Sequence, residues 1–177
     1  MYNKKALTLL EIVISLSIIA IVFVGIGTAF GVVMNGLKKS NLELIATNLA
    51  RGLMAEIMSK NFCDPTACDP SRLGTESGEV SNDKTTFDDV DDYKGYIEVN
   101  PLAPDNQLID VGMPNVDFRR YADCGYADEI GGRMDIQGIP PTNYKLITVT
   151  VRPVISGTGT LLMSDLILQE VKAANAD

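Results

Sequence analysis

Histidine and tryptophan are absent from this 177-residue chain, and cysteine occurs only three times. Without histidine there is no imidazole general base and no His-ligated metal centre. The chain also lacks a G-x-S-x-G elbow, a phosphate-cradling glycine loop and a nucleophile–base pair, so the common routes to hydrolase and phosphoryl-transfer chemistry are missing. The expectation is a protein that is not an enzyme and uses no organic cofactor. A basic stripe is missing as well. The formal net charge is −8, whereas nucleic-acid binding draws its affinity from cations set against phosphates.

These absences are unevenly spread. Residues 1–61 contain no proline and no cysteine, and hold six Lys/Arg against three Asp/Glu. Residues 62–177 hold all eight prolines, all three cysteines, and nine Lys/Arg against twenty Asp/Glu. The two parts therefore carry +3 and −11. The first predicts a helical rod and the second a small acidic head.

Between Leu7 and Leu37 the only ionisable side chain is Glu11, and Ile12–Met34 is an uncharged run of 23 residues. As a helix rising about 1.5 Å per residue, that run crosses a bilayer core of about 30 Å. It is longer than the apolar region of a secretory signal peptide, and no small-x-small cleavage site follows it. Lys4 and Lys5 on one side are balanced by Lys38 and Lys39 on the other, so charge does not set the orientation. A carboxylate near the start of a span costs free energy unless it sits at headgroup depth, finds a partner or takes up a proton.

Lys4-Lys5-Ala6 followed by Leu7-Thr8-Leu9-Leu10-Glu11 and a long apolar run resembles the type IV prepilin signature. The resemblance implies that a prepilin peptidase cuts between Ala6 and Leu7 and methylates the new N-terminus at Leu7. Residues 1–6 would then be a leader, and the mature chain would have 171 residues. Glu11 matches the family's glutamate, which pairs with the N-terminal ammonium of a neighbouring subunit during assembly. An ammonium and a carboxylate are each costly in an apolar setting and tolerable together. Ala6 stands where the family usually has glycine, and Leu7 where it often has phenylalanine.

Beyond the apolar segment, Leu42, Ile45, Leu49, Leu53 and Ile57 recur at amphipathic-helix spacing, with Ala46, Ala50 and Met54 alongside. One helix from Leu7 to about Lys60, roughly 80 Å long, is expected. Residues 7–37 form its transmembrane or filament-core part and residues 38–61 its amphipathic continuation. Gly27 and Gly31 form a G-x-x-x-G pair suited to close helix approach. The family resemblance gives Gly25 and Gly27 a second role, as a place where the helix unwinds inside a filament.

In the head, residues 62–177, a long polar loop is expected over 64–92, followed by a short strand at Tyr96–Val99. The clearest strand is Tyr144–Arg152, with Ile147, Val149 and Val151 alternating with Thr148, Thr150 and Arg152. Pro153 is expected to limit it, Gly157-Thr158-Gly159 to turn, and Leu161–Leu168 to return. The predicted fold is α+β: a long N-terminal helix packed on a small antiparallel sheet that includes the hairpin 144–168. Cys63 and Cys68 are the preferred disulfide pair in an exported head; joining either to Cys124 would close a longer loop. Asp88, Asp89, Asp91 and Asp92, framed by Phe87 and Tyr93, offer hard oxygen ligands for calcium, although their spacing is not that of an EF-hand. The ordinary reading of such a run is a solvated acidic turn. This stretch and Leu53–Phe62 resemble minor pilins of the PilV and mannose-sensitive-haemagglutinin D types.

The resemblance implies a structural minor pilin-like subunit that waits in the inner membrane with its head outside the cytoplasm. Its partners would be other pilin or pseudopilin subunits, the prepilin peptidase and the inner-membrane assembly platform, and its end state a periplasmic or cell-surface filament. A pseudopilin of a type II secretion system shares every N-terminal feature. A membrane-anchored head that is adhesive or binds calcium is the reading from another class.

Overall fold

The computed structural model describes residues 8–64, 73–130, 133–136 and 143–174. Its first element is α1, Leu9–Ser59, a run free of proline. Among the described residues five β-strands follow: β1 Tyr96–Glu98, β2 Val116–Ile130, β3 Arg133–Ile136, β4 Tyr144–Ile155 and β5 Leu166–Ala173. A 3₁₀ turn, Asp91–Tyr93, precedes β1. The architecture is α+β, as predicted. The chain divides into two compact units after Asn41.

In the first unit every described residue is exposed, including apolar side chains such as Leu9 at 82% and Ile21 at 72%. The segment is apolar around its whole circumference, and α1 is long and apolar enough to cross a bilayer. Ser15, Ser17 and Thr28 donate their hydroxyls to the carbonyls of Glu11, Val13 and Gly25 at 2.8, 2.8 and 2.9 Å. Such back-bonding satisfies polar side chains where there is no water to do so.

In the second unit, Ala46, Leu49, Ala50, Leu53, Met54 and Ile57 form the buried stripe of α1. The stripe packs on Phe118, Ala122, Cys124, Ile147, Val149 and Val151 from one face of the sheet. The strands run antiparallel in the order β1-β2-β4-β5, and β3 pairs with the last four residues of β2. The alternation anticipated in β4 is present: Ile147, Val149 and Val151 are fully buried and lie opposite Cys124, Ala122 and Arg120 of β2. Gly125 of β2 accommodates Ile136 of β3, since a Cβ there would lie 2.9 Å from Ile136 Cγ2.

The hairpin differs from expectation in two ways. Pro153 does not end β4, which continues to Ile155; β5 pairs with β4 only as far as Val151, so the proline lies where that side of the strand has lost its regular partner. The return strand is not Leu161–Leu168. Leu161 pairs with Val154, but Leu166 pairs with Val151, so two extra residues bulge from the returning chain. Arg152 closes the bulge on Asp165, with Nε donating to Oδ1 at 2.8 Å and Nη2 to Oδ2 at 2.5 Å. From there β5 continues to Ala173, through the polar residues Gln169, Glu170 and Lys172 of a sheet edge.

Candidate functional site

The acidic turn is built on the end of α1. After Ser59 the helix gives way, and Asn61 pairs with the turn instead: its N–H donates to Asp88 O at 3.3 Å, and its carbonyl accepts from Val90 N at 3.1 Å. Lys60 Nζ donates to Phe87 O at 2.6 Å. The aspartates then organise their own backbone. Asp89 Oδ1 accepts from Asp91 N at 2.7 Å and Asp92 N at 3.3 Å; Asp92 Oδ2 accepts from Asp88 N at 2.9 Å and Asp89 N at 3.0 Å. Carboxylates that accept backbone N–H groups in this way fix a turn that few other side chains could hold. Phe87, Tyr93 and Tyr96 form an edge-to-face trio beneath it, with centroids 4.9 to 5.8 Å apart.

One cation, Lys145, anchors the turn to β4, and a second, Lys84, joins α1 to β1 beside it. Lys145 of β4 pairs with Asp91 Oδ1, donates to Phe62 O, and lies 4.7 Å from the centre of the Phe62 ring. Lys84 reaches Glu56 of α1 at 3.2 Å and Glu98 of β1 at 3.5 Å, and donates to Leu102 O at 2.7 Å. Arg120 of β2, 2% exposed, completes this group by pairing with Glu98 Oε2 and donating to Leu49 O and Leu102 O at 3.3 and 2.6 Å. Two buried anions thus face two buried cations, the arrangement in which buried charge is tolerated. Lys172 of β5 donates to Met58 O at 3.0 Å and to Lys60 O, placing a cation on the carbonyl end of α1.

At the other end of α1, Thr8 Oγ1 accepts the N–H of Glu11 at 3.3 Å. Thr-x-x-Glu is the spacing of a capping box, and it starts the helix at Leu9. The Glu11 carboxylate lies in the first turn, exposed, where the helix dipole favours an anion. Residues 1–27 match the prokaryotic N-terminal methylation motif. This motif indicates a prepilin-like substrate of the type IV pilin and pseudopilin kind. No curated protein and no solved structure matches the chain.

The methylation motif contains Ala6 and Leu7, the expected cleavage pair, which lie outside the described residues. Cys63 is disulfide-bonded, Cys124 is a free and buried thiol, and Cys68 lies outside the described residues. Burial pushes the Cys124 thiol well above its ordinary range. Of the four aspartates proposed as calcium ligands, Asp88 is exposed, while Asp89, Asp91 and Asp92 are buried. They form a packed turn, not a solvated one. The structure sets two residues beside them that sequence reading passed over, Glu76 and Glu79. Nothing in the polar stretch around these glutamates distinguishes them from surface acids until the chain is folded.

Proposed function

We propose that this chain is a structural minor pilin-like subunit, cut between Ala6 and Leu7, methylated at Leu7, and built into a type IV pilus-like filament through its apolar helix. The observation that carries the reading is the methylation motif running directly into a helix whose residues from Leu9 to Asn41 are all exposed, with no charge between Glu11 and Lys38. Such a surface is stable in lipid or against copies of itself, and not in water. A minor role is supported by two stretches, the helix end Leu53–Phe62 and the acidic turn Phe87–Tyr93, that resemble minor pilins. They meet in space, because the helix end around Lys60 and Asn61 bonds to the turn at Phe87, Asp88 and Val90.

In this reading the head stays outside the cytoplasm and the neighbours are other pilin-like subunits, reached by way of the peptidase and the assembly platform. Cys63 pairs with Cys68, clipping the end of α1 to the loop that follows. The deciding experiment is co-expression with a prepilin peptidase, followed by intact mass and N-terminal sequencing. A product beginning at N-methylated Leu7 is expected. An uncut chain, or one cut after the apolar run, would overturn the reading.

A further inference from the structure

Five carboxylates converge where the polar loop folds over the acidic turn. Ligand oxygens of Glu76, Asp89 and Asp91 lie within 4.8 Å of one another, and so do those of Glu76, Glu79 and Asp92. That spread matches the separation of about 4.6–5.2 Å between opposed oxygens around a calcium ion with bonds of about 2.3–2.6 Å. Acidic residues often cluster without consequence, but two of these are buried and incompletely bonded. Asp89 is 0% exposed and Asp92 3%. Each spends one oxygen on backbone N–H groups and leaves the other, Asp89 Oδ2 and Asp92 Oδ1, without a hydrogen-bond partner among the described residues. Glu76 Oε2 is a third buried oxygen without one. An unpaired buried carboxylate oxygen forfeits its hydration and gains nothing in return.

We propose that Glu76, Glu79 and Asp92 bind one calcium ion, with Asp89, which shares Glu76 with that group, as a further ligand; the ion supplies the charge these oxygens lack. Asp91 stands at the edge of the site with its Oδ1 held by Lys145, and Asp88 is outside the ligand set. Among the described residues, the two nearest lysines are already engaged. Lys145 is committed to Asp91 and Phe62 O, and Lys60 to Phe87 O. An ion has a route in, since Asp92 also lines an open cavity of about 620 Å³ bordered by Thr75, Asn82, Tyr96 and Tyr121. Hard, charged oxygen ligands on a loop suit calcium better than magnesium, which demands near-ideal octahedral geometry and sheds its waters reluctantly. The proposal does not depend on the filament reading, because it concerns the head alone.

The electrostatics agree with the geometry. Burial first, then carboxyl–carboxylate hydrogen bonding of Glu79 with Asp92 and of Asp89 with Asp91, pushes Glu79 and Asp89 up to about 8 in the ion-free head, and burial raises Glu76 as well. Asp64 and Asp88 add further negative charge from the flanks.

The test uses the full chain in detergent micelles, stripped with EGTA and titrated with calcium chloride, with bound calcium read by equilibrium dialysis and stability by thermal unfolding. About one calcium per chain is expected, with affinity in the range of about 10⁻⁵–10⁻³ M and a rise in melting temperature on binding. Glu76→Gln/Glu79→Gln is the informative variant, because neither side chain holds the backbone of the aspartate turn. It should lose at least tenfold in calcium affinity, yet be no less stable than the parent in EGTA, where like-charge repulsion is relieved. Asp88→Asn should bind as the parent does. If the double variant is poorly folded by circular dichroism, Glu79→Gln alone carries the same expectation. No calcium bound by the parent at millimolar concentration, or equal binding by parent and glutamine variant, would overturn the site.

Discussion

The Tyr93 hydroxyl donates a 2.8 Å hydrogen bond to Glu56 Oε1, tying the last residue of the acidic turn to α1. The same glutamate accepts from Lys84 through its other oxygen, so the carboxylate is divided between a phenol and an ammonium. Burial, followed by the Glu56 charge, drives the Tyr93 hydroxyl far above its ordinary range and keeps it a donor at any working pH. Tyr93→Phe removes one hydrogen bond to a charged group while sparing the aromatic trio. A loss of about 1.5 kcal/mol is expected, because Lys84 still serves Glu56. Chemical denaturation of the full chain in detergent, followed by near-ultraviolet circular dichroism, measures it.

Arg120 and Glu98 behave differently, since both are buried charges and each leaves the other exposed to a low-dielectric core when removed. Arg120→Met or Glu98→Met alone is expected to cost about 3–5 kcal/mol. The paired variant Arg120→Met/Glu98→Met should cost less than the two singles combined, because no uncompensated partner remains apart from the Lys84–Glu56 pair. A strictly additive double variant would mean that the two groups act independently.

This network also explains which parts of the fold were legible in the sequence. The α1 stripe and the alternation in β4 are apolar patterns with the period of their element, and both appear as read. β2, the longest strand and the centre of the sheet, was not identified. Its core-facing row is Phe118, Arg120, Ala122, Cys124 and Tyr126, so a guanidinium interrupts the alternation at the position facing Val151. Only the distant Glu98 and two main-chain carbonyls make that arginine acceptable, and local pattern cannot reveal them. Lys84 and Lys145 read as surface lysines for the same reason. The aspartate cluster was visible, but its burial was not, and Glu76 and Glu79 join it only through folding of the loop. The methylation motif was legible, because it depends on neighbours in sequence, whereas the Thr8 cap that starts α1 at Leu9 was not read.

Cys124 offers a test of the core with a chemical readout. Its thiol is 3% exposed, faces α1 between Ala122 and Tyr126, and is held in the protonated form by burial. Thiolate, not thiol, is the nucleophile. Iodoacetamide at pH 8 should therefore leave Cys124 unmodified in the folded chain and alkylate it fully in urea. Rapid alkylation under native conditions would show that the sheet opens at this position.

The bulge ion pair predicts a pH dependence. The Arg152 hydrogen bonds, followed by its charge, hold the Asp165 carboxyl below the usual carboxylate value. A depressed carboxyl contributes stability above its unfolded value, near pH 4, and loses it as pH falls through the lower folded value. Both side chains are partly exposed, so the contribution is at most about 1 kcal/mol. Asp165→Asn should cost that much at pH 7 and nothing at a pH low enough to protonate the carboxyl in the folded chain. Unfolding curves of parent and variant at the two pH values provide the comparison.

Glu11 has two separable roles, because its capping contact is made by its backbone N–H and not by its carboxylate. Changing the side chain to glutamine leaves that bond to Thr8 intact, as well as the Ser15 hydroxyl on its carbonyl. The helix start should therefore survive Glu11→Gln. Thr8→Ala removes the cap instead and should cost the first turn about 1 kcal/mol. The proposed pairing with a neighbouring subunit's ammonium depends on the negative charge, which glutamine lacks. Glu11→Gln is therefore expected to be cut at Ala6/Leu7 like the parent, by intact mass, yet to fall at least tenfold in sheared filament fractions. Thr8→Ala should be cut and incorporated with only a modest loss. Equal incorporation of Glu11→Gln and the parent would leave the carboxylate with no part in assembly, and its position would then be explained by the helix dipole alone.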